Sequence, residues 1–262
     1  MTLLAASSIH VTIGEVAAAL ALVAVAAIAS RSWHAGLEED IGIAVVRSLI
    51  QLTAIGYVIT LIFDQDSFLL VLALLAVMVV FGAFTARQRA KGVPDSFWPL
   101  LGSLAVAASA TLGLVVALGI FDPTPRYLVP VGGMVIGNAM TAAAVALNRL
   151  GEDVHDQSRR IEATLALGAT SSQAVTPLVR RSLRSGMITL VDSTKTTGLI
   201  FFPGTMVGML LAGANPVDAV RLQLILLYVL LGAVSIAALM AITLARRNFF
   251  TTAHQLREPP EP

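Results

Sequence analysis

The sequence predicts an all-α integral membrane protein with about seven transmembrane helices, an external N-terminus and a cytoplasmic C-terminus. Three observations lead to this prediction. Hydrophobic residues make up 56% of the chain and charged residues only 13%, whereas a soluble domain carries about 25% charged residues. Seven apolar segments are long enough to cross a bilayer. Lys and Arg residues are concentrated in alternate loops between those segments.

Each predicted span contains about 20 mostly apolar residues, which is the length that crosses the hydrocarbon core. The second span is the least apolar because it includes Arg47 and Gln51, and the sixth is interrupted at Pro203 and Gly204. In chain order the spans are Ile9–Ala29, Ile41–Phe63, Phe68–Ala86, Pro99–Gly119, Leu128–Leu147, Met187–Leu211 and Leu222–Ala245.

The orientation follows from the basic residues, since loops rich in Lys and Arg stay in the cytoplasm. The loop at 64–67 has none, and the loops containing Arg126 and Arg221 have one each. The first loop contributes little to the assignment of orientation, because it contains Arg31 together with three acidic residues. The remaining basic residues fall on one side of seven spans: Arg87, Arg89, Lys91, Arg149, Arg159, Arg160, Arg180, Arg181, Arg184, Arg246, Arg247 and Arg257.

One transmembrane domain is predicted over residues 1–250, with a polar insert at 151–185 and a disordered, Pro-rich tail at 251–262. The insert is too short for a soluble domain and contains no Walker-type phosphate loop. We therefore expect no cofactor in this chain, and any ATP would be bound by another chain. A net charge of +1 without a basic face argues against nucleic acid as a partner. The absence of H-E-x-x-H and G-x-S-x-G argues against an enzyme.

The insert contains the stretch "RRIEATLALGATSSQAV", which is polar in an otherwise apolar chain. As a helix it has a modest apolar side with Ile161, Leu165, Leu167 and Ala169, and Gly168 ends or bends it. A second amphipathic run, Val175–Leu183, follows. Two interpretations are open at this point. The helix lies on lipid headgroups with its arginines on phosphates, or it is a surface that another protein binds.

Four ionisable residues fall within the predicted spans: Glu15, Arg47, Asp192 and Lys195. Such residues cost about 2.5–3.5 kcal/mol each on insertion scales, so they normally face a cavity or each other. Asp192 and Lys195 are three residues apart and share a helix face. They form either a structural ion pair or a polar gate. Arg47, one turn before Gln51, lies at a similar depth to Asp192 and is a second candidate partner for it.

The fifth predicted span contains Gly133 and Gly137 in a G-x-x-x-G pattern, which lets another helix approach closely, including one from a second copy. The alternative is a pathway wall to which Met134, Asn138 and Met206 contribute. Thioethers suit soft metals and amide oxygens suit hard ones, so this set does not select an ion. The metal ligands remain unknown from the sequence.

Glu162 and Ala163, followed by Gly168, resemble the E-A-A-x-x-x-G loop of ABC-transporter permeases. Four longer stretches, "GMVIGNAMTAAAVALNRL", "EATLALGAT", "DSTKTTGL" and "PGTMVGMLLAGANPVDAV", are similar to the FetB-type permeases. That family includes bacterial proteins assigned to iron export and plant aluminium-sensitivity permeases. The resemblance is best over Leu128–Ala241 and continues through Arg47–Phe63.

The resemblance implies a cytoplasmic coupling helix, to which Arg159, Arg160, Glu162, Ala163 and Gly168 belong, that docks in a groove of a separate ATPase. It implies two permeases with two ATPases in the plasma (inner) membrane, ATP and Mg in the partner chain, and export of a metal ion such as iron. The alternative is an ATP-independent channel or secondary carrier for an ion or small solute. Inverted repeats around broken helices would favour that alternative, and the sequence contains one clear break.

Overall fold

The structure is a computed structural model that describes residues 12–65, 67–251 and 253–257. In these ranges the chain is helical, with two isolated β-bridges and no strands, which confirms the predicted all-α class. The start of the first predicted span and the end of the predicted tail lie outside the described residues. The helices are α1 (Ile13–Ser32), α2 (Glu38–Gln65), α3 (Phe68–Arg89), α4 (Phe97–Ala117), α5 (Pro125–Asp156), α6 (Ser158–Ala166), α7 (Ser171–Thr196), α8 (Gly204–Leu211) and α9 (Pro216–Ala245), followed by a 3-10 helix, η1 (Arg246–Phe249).

Six helical segments of the described chain are long and apolar enough to cross a membrane. The protein is therefore a multi-pass membrane protein. Each of the six coincides with one predicted span, although several extend beyond it. The external N-terminus and cytoplasmic C-terminus stay a prediction. The six segments are Gly14–Ser32, Glu38–Gln65, Phe68–Arg89, Phe97–Ala117, Pro125–Asp156 and Pro216–Phe249.

The predicted sixth span, Met187–Leu211, is not one helix but the end of α7, a connection at 197–203 and α8. The Thr196 and Thr197 hydroxyls donate to carbonyl oxygens of the preceding turn. Gly198 then has a φ of +88°, and its N–H donates to the Phe201 carbonyl at 2.8 Å. The break is therefore wider than the predicted interruption at Pro203 and Gly204, because turn hydrogen bonds replace helical ones before the proline.

The polar insert predicted at 151–185 is also not a separate segment. Its first residues complete α5, and its last fifteen are the first turns of α7, which begins at Ser171. Pro177 lies inside α7 without ending it. The second amphipathic run and the first part of the predicted sixth span are consequently one continuous helix.

The described chain divides into two compact units. The assignment of residues 1–250 to one transmembrane domain stays a prediction. The first unit contains the described part of residues 1–65 together with residues 211–214. Its two long helices are joined by a turn in which the Leu37 N–H donates to the Ser30 hydroxyl and that hydroxyl donates to Glu38, both at 3.0 Å. The second unit contains the remaining described residues.

In the second unit α5 is the central helix and packs against α3, α4, α7 and α9. Small residues make close packing possible, which matters because lipid provides no hydrophobic drive for helices to associate. A Cβ built on Gly186 of α7 would lie 2.6 Å from the Ala142 carbonyl oxygen and 2.8 Å from the Ala146 Cβ. Gly186 therefore sets how closely α7 approaches α5.

The predicted packing surface at Gly133 and Gly137 has a different environment. A Cβ on Gly133 would lie 3.3 Å from the Met78 Cε, whereas one on Gly137 would meet open space. Within this chain, Gly132 makes a closer approach, to Leu75 of α3. The role of Gly137 in contact with a second copy stays a prediction.

Three segments that the sequence predicts on the cytoplasmic side lie together at one end of the second unit. The loop after α3 meets the end of α5 where Gly92 and Gly151 bring their backbones together. The Asn248 Nδ2 donates to the Pro94 carbonyl at 3.0 Å, and the Arg246 Nη1 donates to the Ser172 hydroxyl at 3.0 Å. We refer to this region as the basic end.

Part of the predicted disordered tail is folded against the basic end. The Arg257 N–H donates to the Phe249 carbonyl and the Thr251 N–H to the Gln255 carbonyl, both at 2.8 Å. Residues 253–257 are therefore held by hydrogen bonds within the chain, and the predicted disorder is wrong for them.

Candidate functional site

The predicted coupling residues lie on α6, a short helix at the basic end. Ile161 is buried, and Leu165, one turn later, is half-buried against the same core. Most of the remaining helix surface is exposed within this chain and includes all four predicted residues of this helix. No ion pair among the described residues involves them. These exposed residues are Arg159, Arg160, Glu162 and Ala163.

Gly168 ends this helix, as predicted. Its φ is +91°, a conformation that glycine adopts without steric cost. The Gly168 N–H donates to the Leu165 carbonyl at 2.9 Å, and the Ala169 N–H donates to the Thr164 carbonyl at 3.3 Å. This pair of bonds is the Schellman motif. The motif turns the chain sharply and directs it towards α7.

The start of α7 is equally well defined. Thr170 is the N-cap, and its hydroxyl accepts from the Gln173 N–H at 3.3 Å while the Gln173 side chain accepts from the Thr170 N–H at 2.9 Å. This is a capping box. The connection between α6 and α7 is thus only four residues long and hydrogen-bonded on both sides, so α6 is rigidly joined to α7.

Leu167, at the tip of this connection, is the residue that the sequence interpretation placed wrongly. It was assigned to the apolar side with Ile161, but its side chain is 90% exposed. Two residues along a helix rotate the side chain by about 200°, so Leu165 and Leu167 cannot both face the core. Leu167, Ala166 and Ala163 form a small apolar surface flanked by Arg159 and Glu162, and we call it the α6 tip.

Asp192 and Lys195 form the predicted ion pair, with 2.9 Å between Nζ and Oδ1. The two side chains are 57% and 67% exposed in this chain, so the pair is not buried within the second unit. The alternative pairing of Asp192 with Arg47 joins residues of different units and stays a prediction. Arg47 and Gln51 are both exposed on α2.

The other pathway candidates are distributed over two helices. Asn138, half-buried on α5, donates from Nδ2 to the carbonyl of Met134 at 2.8 Å. Met206 is buried on α8. In the part of the chain that the structure describes, no group of three or more His, Asp or Glu residues is placed to hold a metal ion. The pathway roles of these residues stay predictions.

Glu15, predicted at membrane depth, lies in the first turn of α1. It forms a capping box with Thr12, whose N–H donates to the Glu15 carboxylate at 2.7 Å. The carboxylate therefore has a structural partner at the end of a helix. This contact accounts for an acidic residue at the start of an apolar helix.

A family model described as "Uncharacterised protein family (UPF0014)" matches residues 13–250. The chain belongs to the UPF0014 family. It is 41% identical over 241 residues to the UPF0014 membrane protein STAR2 of Oryza sativa subsp. japonica, covering 92% of this chain and 85% of the relative. It is 36% identical over 250 residues to the probable iron export permease protein FetB of Escherichia coli (strain K12), covering 95% and 96%. No solved structure is significantly similar.

A third UPF0014 relative, the protein ALUMINUM SENSITIVE 3 of Arabidopsis thaliana, is 39% identical over 241 residues, which cover 92% of this chain and 88% of the relative. The resemblance to FetB-type permeases is therefore confirmed at the level of the family. The region matched by the UPF0014 model includes α6, the whole of α7 and the break that follows it.

Proposed function

We propose that this UPF0014 chain is the transmembrane permease subunit of an ABC exporter in the plasma (inner) membrane. A separate ATPase would bind ATP and Mg and supply the energy, and two permeases would assemble with two ATPases. The cargo would be a metal cation, with iron as the first candidate. This cargo is supported by the names of two relatives, which refer to iron export and to aluminium sensitivity.

The α6 tip is the observation that carries this proposal. A helix that served only to rest on headgroups needs no fixed geometry at its end. Here the Schellman turn at Gly168 and the capping box at Thr170 fix the exposed side of α6 relative to α7. An amphipathic helix that presents a small apolar surface with flanking charges suits a groove in a protein partner.

The same contacts describe how movement of a partner would reach the membrane. Ile161 anchors α6 to the core of the second unit, and α7 follows after four residues. α7 packs directly on α5 through Gly186. A displacement of α6 by a closing ATPase dimer would therefore move α7 and α5, which carry Asp192, Lys195, Met134 and Asn138.

One observation favours the alternative of an ATP-independent carrier. The break between α7 and α8 resembles the discontinuous helices that form ion sites in secondary transporters. An ABC permease and an ATP-independent carrier differ in whether transport requires an ATPase. Purified chain in liposomes, with an ion gradient and without ATPase, is expected to be inactive if it is an ABC permease, whereas a carrier would transport under these conditions.

The decisive experiment combines docking and transport. We expect an ATPase to co-purify with the wild-type chain, and Leu167→Asp to abolish both this association and ATP-dependent iron efflux from proteoliposomes. Leu118→Asp is the matched control. Leu118 is also exposed, at 64%, but it directly follows α4 and lies away from the basic end. It should retain the ATPase. Retention of ATPase and transport by Leu167→Asp would show that α6 does not dock the partner.

A further inference from the structure

A cavity of about 310 Å³ lies at the basic end, between the start of α7 and the C-terminal segment that begins with η1. The C-terminal segment is anchored there by Phe249 and Phe250, which are 1% and 7% exposed. The cavity is separate from the α6 tip and from the pathway candidates. It has no role in the proposed function.

Among the described residues, the lining of the cavity combines two arginines and a histidine with hydroxyls and includes no carboxylate. Arg246, Arg247 and His254 come from the C-terminal segment, which also contributes Thr251. The other hydroxyls belong to Ser171 and Ser172, the first two residues of α7. Guanidinium and hydroxyl groups are the donors that proteins use for phosphate oxygens.

Two hydrogen bonds hold these groups in position. The Arg246 Nη1 donates to the Ser172 hydroxyl at 3.0 Å, and the Ser171 hydroxyl lies 3.1 Å from the His254 Nδ1. A guanidinium has five N–H donors, so Arg246 keeps further donors for a ligand. The walls are therefore arranged before any ligand binds, which lowers the entropic cost of binding.

Within the part of the chain that the structure describes, no acidic side chain pairs with the two arginines of this cavity. The four ion pairs recorded among the described residues include neither Arg246 nor Arg247. Two adjacent arginines that line one cavity repel each other unless an anion lies between them. α7 also starts at this point, and the N-terminus of a long helix adds a favourable potential for an anion.

We propose that this cavity binds a phosphate group. A phosphate presents several oxygens in different directions and can accept from both arginines and from the hydroxyls of α7 at the same time. The phosphate comes either from a soluble anion or from the headgroup of an anionic phospholipid, since the chemistry of recognition is the same. Its binding ties the C-terminal segment to the start of α7, three residues after the Gly168 turn. This inference does not depend on the proposed function.

The soluble source is tested with the full-length chain purified in a neutral detergent. Thermal unfolding is followed while inorganic phosphate is added at constant ionic strength. We expect phosphate to raise the Tm of the wild type, and Arg247→Gln to need about tenfold more phosphate for the same rise, because it loses a charge-assisted hydrogen bond. Arg247 is exposed and forms no ion pair with another described residue, so Arg247→Gln should fold normally.

Arg180→Gln is the matched control, because it removes the same charge from the exposed side of α7 outside the cavity. The lipid source is tested by passing wild type and both variants through phosphatidylcholine vesicles containing phosphatidylglycerol, followed by native mass spectrometry of the extracted chain. We expect the wild type and Arg180→Gln to retain phosphatidylglycerol and Arg247→Gln to lose it if the phosphate belongs to a lipid.

A difference between Arg247→Gln and Arg180→Gln in the phosphate titration supports the soluble source. If the two variants differ in phosphatidylglycerol retention but not in the phosphate titration, the headgroup source is supported. If the two variants behave alike in both measurements, the cavity does not recognise phosphate and the proposal is wrong. All three proteins are measured without the ATPase, so the result is independent of the permease assignment.

Discussion

The two ends of α7 are both polar, yet they are held in different ways. The first part, from Ser171 to Gly186, is capped by Thr170 and buries Leu178, Ser182 and Gly186 at intervals of four residues. The second part, from Met187 to Thr196, contains no buried residue. The polar side chains of the first part are thus placed by packing on one helix face, whereas those of the second part bond mainly within their own helix.

This difference indicates which polar residues are structural. Where α7 packs on α5, its arginines point away from the contact and the helix continues. In the second part, the Thr196 hydroxyl bonds to a carbonyl of the preceding turn, and Asp192 and Lys195 pair on an exposed surface. The helix ends at Thr196. We expect substitutions in the first part to change stability and those in the second part to change transport.

The same comparison explains what the sequence could predict. The end of α6 and the start of α7 depend on residues within five positions of each other, so Gly168 and the pairing of Thr170 with Gln173 are readable locally. The continuity of α7 was missed although its signal was present. Leu178, Ser182 and Gly186 repeat at helical spacing up to the boundary that hydropathy placed before Met187, and Leu190, which packs against the core, continues this spacing beyond it.

Other features could not be read from local sequence. The contact of Arg246 with Ser172 joins residues 74 positions apart, and it depends on how α9 returns to the basic end. The end of α7 was missed because hydropathy averages over the whole of Met187–Leu211. The turn at Gly198 is set by individual hydrogen bonds that such an average does not contain.

The largest expected effect is an all-or-none difference in labelling between the two ends of the second unit. The chain has no native cysteine. Lys91→Cys, at the basic end, should be inaccessible to an impermeant thiol reagent added outside cells, whereas Asp122→Cys, after α4, should react. Both positions are exposed, so the difference in labelling reports the side of the membrane and not burial. External labelling of Lys91→Cys would reverse the orientation and place α6 outside the cytoplasm.

Gly186→Ala should have the next largest effect, because it introduces a methyl group against the backbone of α5. We expect about 1–3 kcal/mol of destabilisation from overpacking, measured as a lower unfolding midpoint of the purified chain. Gly102→Ala is the matched control in α4, where an added Cβ would make an ordinary contact of 3.6 Å with Leu244. Its stability should be unchanged or higher. Equal effects of the two variants would contradict the close contact between α7 and α5.

Thr170→Ala and Thr196→Ala compare the two ends of α7 directly. Loss of an N-cap hydroxyl costs about 1 kcal/mol, so Thr170→Ala should lower the unfolding midpoint. The Thr196 hydroxyl bonds within its own helix, and such a bond adds little to helix stability. Thr196→Ala should change the free energy of unfolding by no more than about 0.5 kcal/mol, the usual range for an exposed substitution. A larger loss for Thr196→Ala would mean that the end of α7 is held by contacts outside this chain.

The smallest expected effect is the coupling of Asp192 with Lys195. Removing one member of a buried pair costs about 3–5 kcal/mol, but both side chains are more than half exposed in this chain. Exposed pairs on a helix contribute only about 0.3–0.5 kcal/mol. In a cycle of Asp192→Asn, Lys195→Met and the double variant, we therefore expect a coupling free energy of that size in unfolding experiments on the purified chain.

The cycle also separates a structural role from a gate. A coupling free energy near that of a buried pair would show that another surface covers Asp192 and Lys195, either a second copy or the first unit. Arg47 would then be the next residue to test against Asp192. The gate is supported by three results together: a small coupling free energy, a double variant as stable as the wild type, and loss of transport. In that case the two charges act on the permeating ion. Charges that contribute little to folding energy and remain exposed at the end of α7 are then explained by their effect on transport.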